Sequence, residues 1–147
     1  MSVAISGPPR AIRGSRVDVP RLKRNARKVL GALRLARSEL SVVLVDDREI
    51  ARLNADYLDK PRATDVLSFS LVEGAHADHR GGLLGDVVIS VETAARQAAD
   101  RHRSLDDVVT RLLIHGVLHL IGFDHEDDAE ARCMAAQEQR LWRALRA

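Results

Sequence analysis

The chain has 147 residues, the length of one domain over residues 1–147 that can bury a core without disulfides. Its 46% hydrophobic and 30% charged residues are typical of a soluble globular protein, and no apolar run approaches the roughly 18 residues of a membrane span. The single cysteine, Cys133, excludes an internal disulfide framework. Because the N-terminus also lacks the pattern of a signal peptide, we expect a reducing, cytoplasmic location.

The N-terminal half of the chain alternates helix and strand patterns. Pro20 can open a helix, because a first-turn proline gives up an N–H that has no intrahelical partner. Apolar residues from Leu22 to Leu33 then recur at helical spacing. The β-rich run ELSVVLVD predicts a buried strand. DDREIARLNADYL predicts a second helix, with Asp46 as its N-cap and Glu49 as the capping-box partner.

The C-terminal half continues this alternation. TDVLSFSL and LLGDVVISV predict two strands, joined by a polar loop whose His76 and His79 we interpret as loop residues rather than metal ligands. After the helix ETAARQAADRH, Ser104 is the expected N-cap of a largely apolar helix that Gly122 can end in a left-handed turn. A final amphipathic helix should carry Cys133 as a small core residue. The pattern predicts an α/β (α+β) fold, a small mixed β-sheet packed with helices.

Three of the six histidines lie in IHGVLHLIGFDHE, at the spacing H-x3-H-x5-H. His115 and His119 are four residues apart on a predicted helix, so both imidazoles can reach one ion. A chain reversal at Gly122 would bring His125 to the same ion. Three imidazoles with an open fourth position are typical of a catalytic zinc site. We therefore predict one zinc ion held by these histidines, although nickel, copper or iron would also suit three imidazoles.

The histidine spacing also occurs in metzincin proteases, which carry a catalytic glutamate directly after the first histidine. Here that residue is Gly116. A missing general base, worth about 10²–10⁴-fold in rate, weighs against peptide hydrolysis. Phosphodiester cleavage depends less on this carboxylate, because a metal can stabilise the developing charge while Arg or Lys binds the phosphate. We also expect Gly116 to leave room for a bulky ligand beside the metal.

Basic residues are concentrated near the N-terminus. The range Arg10–Arg37 contains ten Arg or Lys residues and one acidic residue, Asp18. This asymmetry indicates a polyanionic partner, although a solvated helix face would give the same pattern. The predicted phosphate contacts are Arg21, Arg24, Arg27 and Lys28. Aromatic residues are scarce, so a base-stacking platform for single strands is not expected.

These motifs resemble the YbeY family of bacterial rRNA maturation factors, described as metal-dependent, single-strand-specific endoribonucleases. The family pattern H-G-x-L-H-L-x-G-[YF]-D-H-E matches residues 115–126. The pattern N-x2-Y-R followed by T-[DN]-V-L-S-F matches Asn54, Tyr57 and residues 64–69, G-D-[IV]-x-I matches residues 85–89, and M-x3-E matches Met134 and Glu138. The resemblance thus covers most of the chain in the family's order.

The resemblance implies a zincin-like α/β fold of a metal-dependent hydrolase, with zinc on His115, His119 and His125. It also implies hydrolysis of RNA phosphodiester bonds during 16S rRNA 3′-end maturation and ribosome assembly. The implied partner is rRNA of the small ribosomal subunit precursor. One alternative is a non-enzymatic assembly factor with a structural zinc whose basic helix docks rRNA. A zinc protease is a third hypothesis, disfavoured by Gly116.

The sequence leaves the roles of the other candidate site residues open. The family's arginine after the tyrosine is replaced here by Leu58, and Arg62 is either its substitute as a phosphate contact or an exposed loop charge. The candidates for proton transfer, by residue type alone, are Asp65, Asp86 and Asp124.

Overall fold

The computed structural model describes residues 2–9, 16–60, 62–70 and 82–146. Within these ranges the elements are β1 (Ser2–Ser6), α1 (Val19–Ala32), β2 (Glu39–Val45), α2 (Asp47–Leu58), β3 (Val66–Ser70), β4 (Leu83–Ser90), α3 (Val91–Arg101), α4 (Leu105–Leu120) and α5 (Asp128–Arg146). The loop with His76 and His79 lies outside the described residues. Among the described helices, none has the length and apolar character needed to cross a membrane.

The four strands form one mixed sheet in the order β1-β2-β4-β3. β1 and β4 both run parallel to β2, whereas β3 runs antiparallel to β4. The prediction of a mixed sheet packed with helices is therefore confirmed. β1 has no counterpart among the predicted elements, because its SVAIS sequence is short and three of its five residues are small or polar. Val3 is its buried anchor in the core.

The two faces of the sheet pack against different helices, because successive side chains on a strand point to opposite faces. Val42 and Val87 belong to the main core, which includes apolar residues of α1, α3, α4 and α5. Val88 faces a smaller core with Ile50 of α2. α4 is thus buried on one face of β3 and β4, and α2 covers the other.

Side-chain caps fix the starts of the helices as the sequence predicts. Asp46 accepts a hydrogen bond from the backbone N–H of Glu49 at 2.8 Å, and Ser104 accepts one from Asp107 at 3.1 Å. Each cap satisfies a backbone donor that has no partner inside the helix. The prediction for Cys133 is wrong, since this side chain is exposed and Met134 beside it takes the buried position on α5.

Candidate metal centre

The imidazoles of His115, His119 and His125 converge on one point. One nitrogen from each of the three rings can be chosen so that all three atoms lie within 4.8 Å of one another. The Nε2 atoms of His115 and His119 are 3.1 Å apart. A tetrahedral zinc ion with Zn–N bonds of about 2.0–2.1 Å holds its ligand nitrogens about 3.4 Å from each other. The donor set and its spacing therefore fit a divalent transition-metal ion.

The end of α4 explains how His125 reaches the site. Gly122 has φ of +103°, in the left-handed region that favours glycine. Its N–H donates to the carbonyl of His119 at 3.1 Å, and the N–H of Phe123 donates to the carbonyl of Leu118 at 3.0 Å. These two bonds form a Schellman cap, which reverses the chain. The reversal returns His125 toward the helix face that carries the other two histidines.

Two carboxylates lie next to the metal-facing histidines. Nδ1 of His115 donates a hydrogen bond to Oε1 of Glu138, on α5, at 2.9 Å. This bond selects the tautomer that leaves Nε2 of His115 unprotonated and available to a metal. Asp124 accepts a hydrogen bond from the backbone N–H of His125 at 2.8 Å, and its Oδ1 lies 3.8 Å from Nδ1 of that ring. Glu138 thus orients the imidazole of His115, whereas Asp124 caps the backbone of His125 and lies beside its ring.

The electrostatics of the site favour neutral imidazole at His119. Burial lowers the pKa of His119, and the nearby rings of His115 and His125 lower this pKa further. A metal ligand must be the neutral imidazole, because the protonated ring has no lone pair to donate. The surroundings of His119 therefore prepare it for metal binding near neutral pH.

The histidines open onto a cavity of about 520 Å³, which we call the histidine cavity. Its other walls come from β3, from the segment before it and from the end of α2. Of the described residues that line it, Lys60 alone carries a Lys or Arg side chain. Arg62 is exposed and lines only a neighbouring cavity, whereas Leu58 and Lys60 line both. Lys60 is thus the cation in the lining of the histidine cavity, and the role predicted for Arg62 stays a prediction.

Lys60 is held at the cavity rim by a buried asparagine. Asn54 is 3% exposed. Its backbone carbonyl accepts a hydrogen bond from the backbone N–H of Lys60 at 3.2 Å, and its side-chain Nδ2 donates one to the backbone carbonyl of Arg62 at 3.0 Å. These bonds tie the backbones of Lys60 and Arg62 to α2. The sequence contained one signal for Lys60, namely its position two residues after Leu58, where the family pattern has arginine.

Gly116 is required by helix packing rather than by space for a ligand. A Cβ atom at this position would lie 2.6 Å from Cγ1 of Val87 and 3.2 Å from Oγ of Ser68. Ser68 also donates a hydrogen bond to the carbonyl of Gly116 at 2.8 Å. Position 116 therefore faces the sheet, and the expectation of open space beside it is wrong. A protease-like glutamate at this position would collide with β3 and β4.

The three aspartates proposed for proton transfer occupy different surroundings. Asp124 lies beside His125, as described above. Asp65 lines the histidine cavity, but its carboxylate accepts hydrogen bonds from the N–H of Val66 at 2.8 Å and from Gln97 at 3.1 Å. Asp86 lines a groove on the face of the sheet that α2 covers, opposite to Val87 and α4. The structure therefore does not bring Asp86 to the histidines.

The predicted phosphate contacts are all exposed on α1 but do not form one group. Arg21, Arg24 and Lys28 line a second cavity together with residues of α4 and α5. Arg27 is absent from that lining, because its side chain leaves the helix on a different side.

Comparison with known proteins decides the family. A family model described as "Endoribonuclease YbeY" matches residues 12–146. The chain belongs to this family. Among YbeY relatives, the "Endoribonuclease YbeY" of Geobacter metallireducens is 44% identical over 131 residues, which cover 88% of this chain and 87% of the relative. The "Endoribonuclease YbeY" of Geobacter sulfurreducens is 46% identical with the same coverage.

A solved structure supports the fold independently of these sequences. The solution structure of TM1509 from Thermotoga maritima aligns with a TM-score of 0.66 at 24% identity, over 97% of this chain and 88% of that one. The predicted fold class and the resemblance to the YbeY family are thereby confirmed.

Proposed function

We propose that the chain is a zinc-dependent endoribonuclease that cleaves single-stranded RNA in the cytoplasm. Its proposed substrate is rRNA of the small ribosomal subunit precursor, at the 3′ end of 16S rRNA. The observation that carries the proposal is the convergence of His115, His119 and His125 on an open cavity. The names of the relatives, each "Endoribonuclease YbeY", support RNA as the substrate.

The three imidazoles would hold the metal and leave a coordination position toward the cavity. A bound zinc ion supplies a Lewis acid for a phosphoryl oxygen and lowers the pKa of water to about 7. Glu138 keeps the ring of His115 in the tautomer and orientation that binding requires. An open position is typical of catalytic zinc, whereas structural zinc is closed by four protein ligands.

Side chains that line the cavity, and Asp124 beside His125, take the remaining roles. The ammonium group of Lys60 binds a non-bridging oxygen of the scissile phosphate and offsets the charge that develops there. Asp124 accepts a proton from the attacking water, because it is 47% exposed beside His125 and can reach solvent at the site. Asp65 is engaged by backbone and amide donors and keeps the segment before β3 in place. Arg62 and Asp86 have no part in this mechanism.

Two other functions are less consistent with the site. A non-enzymatic assembly factor needs no open metal position and no cation beside it, and the relatives are named as nucleases. A zinc protease needs a general base beside the first histidine, and packing excludes one at Gly116.

The proposal is tested with wild type, His119→Ala and the control His102→Asn. His102 is exposed at the end of α3 with φ of +53°, a conformation that asparagine tolerates. We expect about one zinc per wild-type and control chain, and metal-dependent cleavage of single-stranded RNA by both. His119→Ala should lose both properties. Full zinc content and cleavage in His119→Ala would show that the site is assigned wrongly. Wild type that binds ribosomal precursors without cleaving RNA would favour the assembly factor.

A further inference from the structure

A second cavity, of about 440 Å³, lies between α1, α4 and α5. We call it the basic groove. Its described lining includes four cationic side chains: Arg21, Arg24 and Lys28 of α1, and Arg146 of α5. Asp107 of α4 is the one carboxylate in that lining, so the groove carries a net positive charge. The basic groove and the histidine cavity share no lining residue.

A seam between α4 and α5 connects the groove with the metal centre. The two helices are joined by three contacts, each four residues from the next on both helices: His115 with Glu138, Arg111 with Trp142, and Asp107 with Arg146. Residues four apart lie on one helix face. His115 and Asp107 are separated by eight residues, or about 12 Å along α4 at 1.5 Å per residue. The groove and the metal centre are therefore at two ends of the same seam.

Trp142 contacts one arginine of the groove, Arg146, and a second arginine beside it, Arg111 of the seam. The guanidinium carbon of Arg111 lies 4.2 Å from the centroid of its ring, and that of Arg146 lies 4.9 Å away. Cation–π contacts at this distance orient the charged group without neutralising it. Nε of Arg111 is buried and has no hydrogen-bond partner among the described residues. Because arginines already contact the indole, the groove is suited to phosphates rather than to stacked bases.

The charges in the groove are only weakly paired. Asp107 lies 3.9 Å from Arg21 and 3.7 Å from Arg146, and both arginine side chains are more than half exposed. Ion pairs of this length and exposure contribute little. No described carboxylate forms an ion pair with Arg24 or Lys28. The four cations are thus available to an anionic ligand.

We propose that the basic groove binds backbone phosphates of the single-stranded RNA substrate while another phosphate of the same strand lies in the histidine cavity. The identity of this ligand rests on the proposed function. A strand must span at least about 12 Å, the length of the seam, to contact both places, so longer strands bind at both and shorter ones at one. The groove gives length-dependent affinity without reading the base sequence, since backbone contacts carry no sequence information.

The test compares two double variants with the same change of charge. Arg24→Gln/Lys28→Gln removes two cations of the groove, whereas Arg27→Gln/Lys23→Gln removes two from α1 outside its lining. Binding of a single-stranded 20-nucleotide RNA is measured with zinc-free protein between about 50 and 200 mM salt. The groove variant should bind about ten-fold more weakly at low salt, with the slope of log Kd against log salt lower by about 1.4, since each contact to a single strand contributes about 0.7. The control should bind like wild type.

Equal losses in both double variants would overturn the inference, because they would reflect net charge alone. Binding by the groove variant that equals wild type would also overturn it. Neither cleavage nor metal enters this measurement. If wild type fails to cleave RNA while the groove variant still loses affinity, the proposed catalysis fails and the groove assignment stands. Thermal unfolding of both variants verifies that the fold is intact.

Discussion

Glu138 accepts a hydrogen bond from Nδ1 of His115 at 2.9 Å, and this bond ties α5 to the metal centre on α4. The two side chains are 31% and 37% exposed, with His115 the more buried. A carboxylate on the distal nitrogen of a metal-binding imidazole fixes its tautomer and raises its basicity. The α5 helix therefore contributes to a site whose candidate ligands all lie elsewhere.

Replacing Glu138 should weaken the metal site without removing a ligand. We expect Glu138→Ala to lower the affinity for zinc about 10- to 100-fold, because the imidazole of His115 loses its orienting acceptor. Competition with a chromogenic chelator measures this affinity directly. Gln139→Ala, on the next and exposed position of α5, is the control. An unchanged zinc affinity in Glu138→Ala would show that the hydrogen bond does not support the site.

A methyl group at position 116 should destabilise the protein. The new Cβ of Gly116→Ala would lie 2.6 Å from Val87, which is fully buried, so we expect a loss of about 1–3 kcal/mol from overpacking. The gain in helix propensity, at most about 1 kcal/mol, does not offset this loss. Gly31→Ala in α1 is the matched control, because nothing lies within 4 Å of its added Cβ and it should be neutral or stabilising.

Urea unfolding of the two alanine variants measures the difference. A stable Gly116→Ala protein would mean that α4 can move away from β4 at little cost. Gly116→Glu should give no peptidase activity in any case, since its side chain would point into the sheet.

Much of the local structure and the histidine group could be predicted from the sequence because both depend on short spacings. The caps at Asp46 and Ser104, and the chain reversal at Gly122, depend on side chains a few residues away. The convergence of His115 and His119 follows from helical periodicity alone. The structural reason for Gly116 could not be predicted, because it depends on Val87 of β4, and local sequence patterns do not show that β4 packs against α4.

Which cations line each of the two cavities could not be predicted, for a similar reason. Lys60 lines the histidine cavity on a loop that the buried Asn54 holds, and its nearness to Leu58 in the sequence does not separate it from Arg62, which is only two residues further on. The basic groove unites Arg24 with Arg146, which are 122 positions apart in the sequence. Charge density on α1 predicted a polyanionic partner, but only the packing of α1, α4 and α5 separates Arg27 from the groove.

Lys60 should matter more for catalysis than Arg62. We expect Lys60→Met to lower kcat/KM for RNA about ten-fold or more, because a hydrogen bond to a charged group contributes about 1.5–3 kcal/mol. Arg62→Met, a matched loss of charge two residues away, should leave kcat/KM within about two-fold. Steady-state cleavage of a fluorescent single-stranded RNA gives both values. A larger loss of kcat/KM in Arg62→Met than in Lys60→Met would assign the phosphate contact to Arg62.

Leu58→Arg tests the same wall of the histidine cavity by adding a cation instead of removing one. Leu58 is 47% exposed and lines the histidine cavity, so an arginine there can extend over the opening without burying its charge. We expect it to raise kcat/KM in wild type and to restore part of the activity of Lys60→Met, because its guanidinium can bind the phosphate with two parallel hydrogen bonds. No gain in either background would mean that this wall does not contact the scissile phosphate.

The pKa of His119 predicts how the stability of the metal-free protein depends on pH. Burial and the neighbouring rings lower this pKa from its usual 6.5, so the unfolded chain binds a proton more readily than the folded one. The stability that neutral His119 contributes is present above pH 6.5, and it is lost as the pH falls from 6.5 through the lowered pKa. Urea midpoints of chelator-treated wild type should therefore fall over this range. His119→Asn should show a flatter dependence, and an equal slope in both proteins would contradict the lowered pKa.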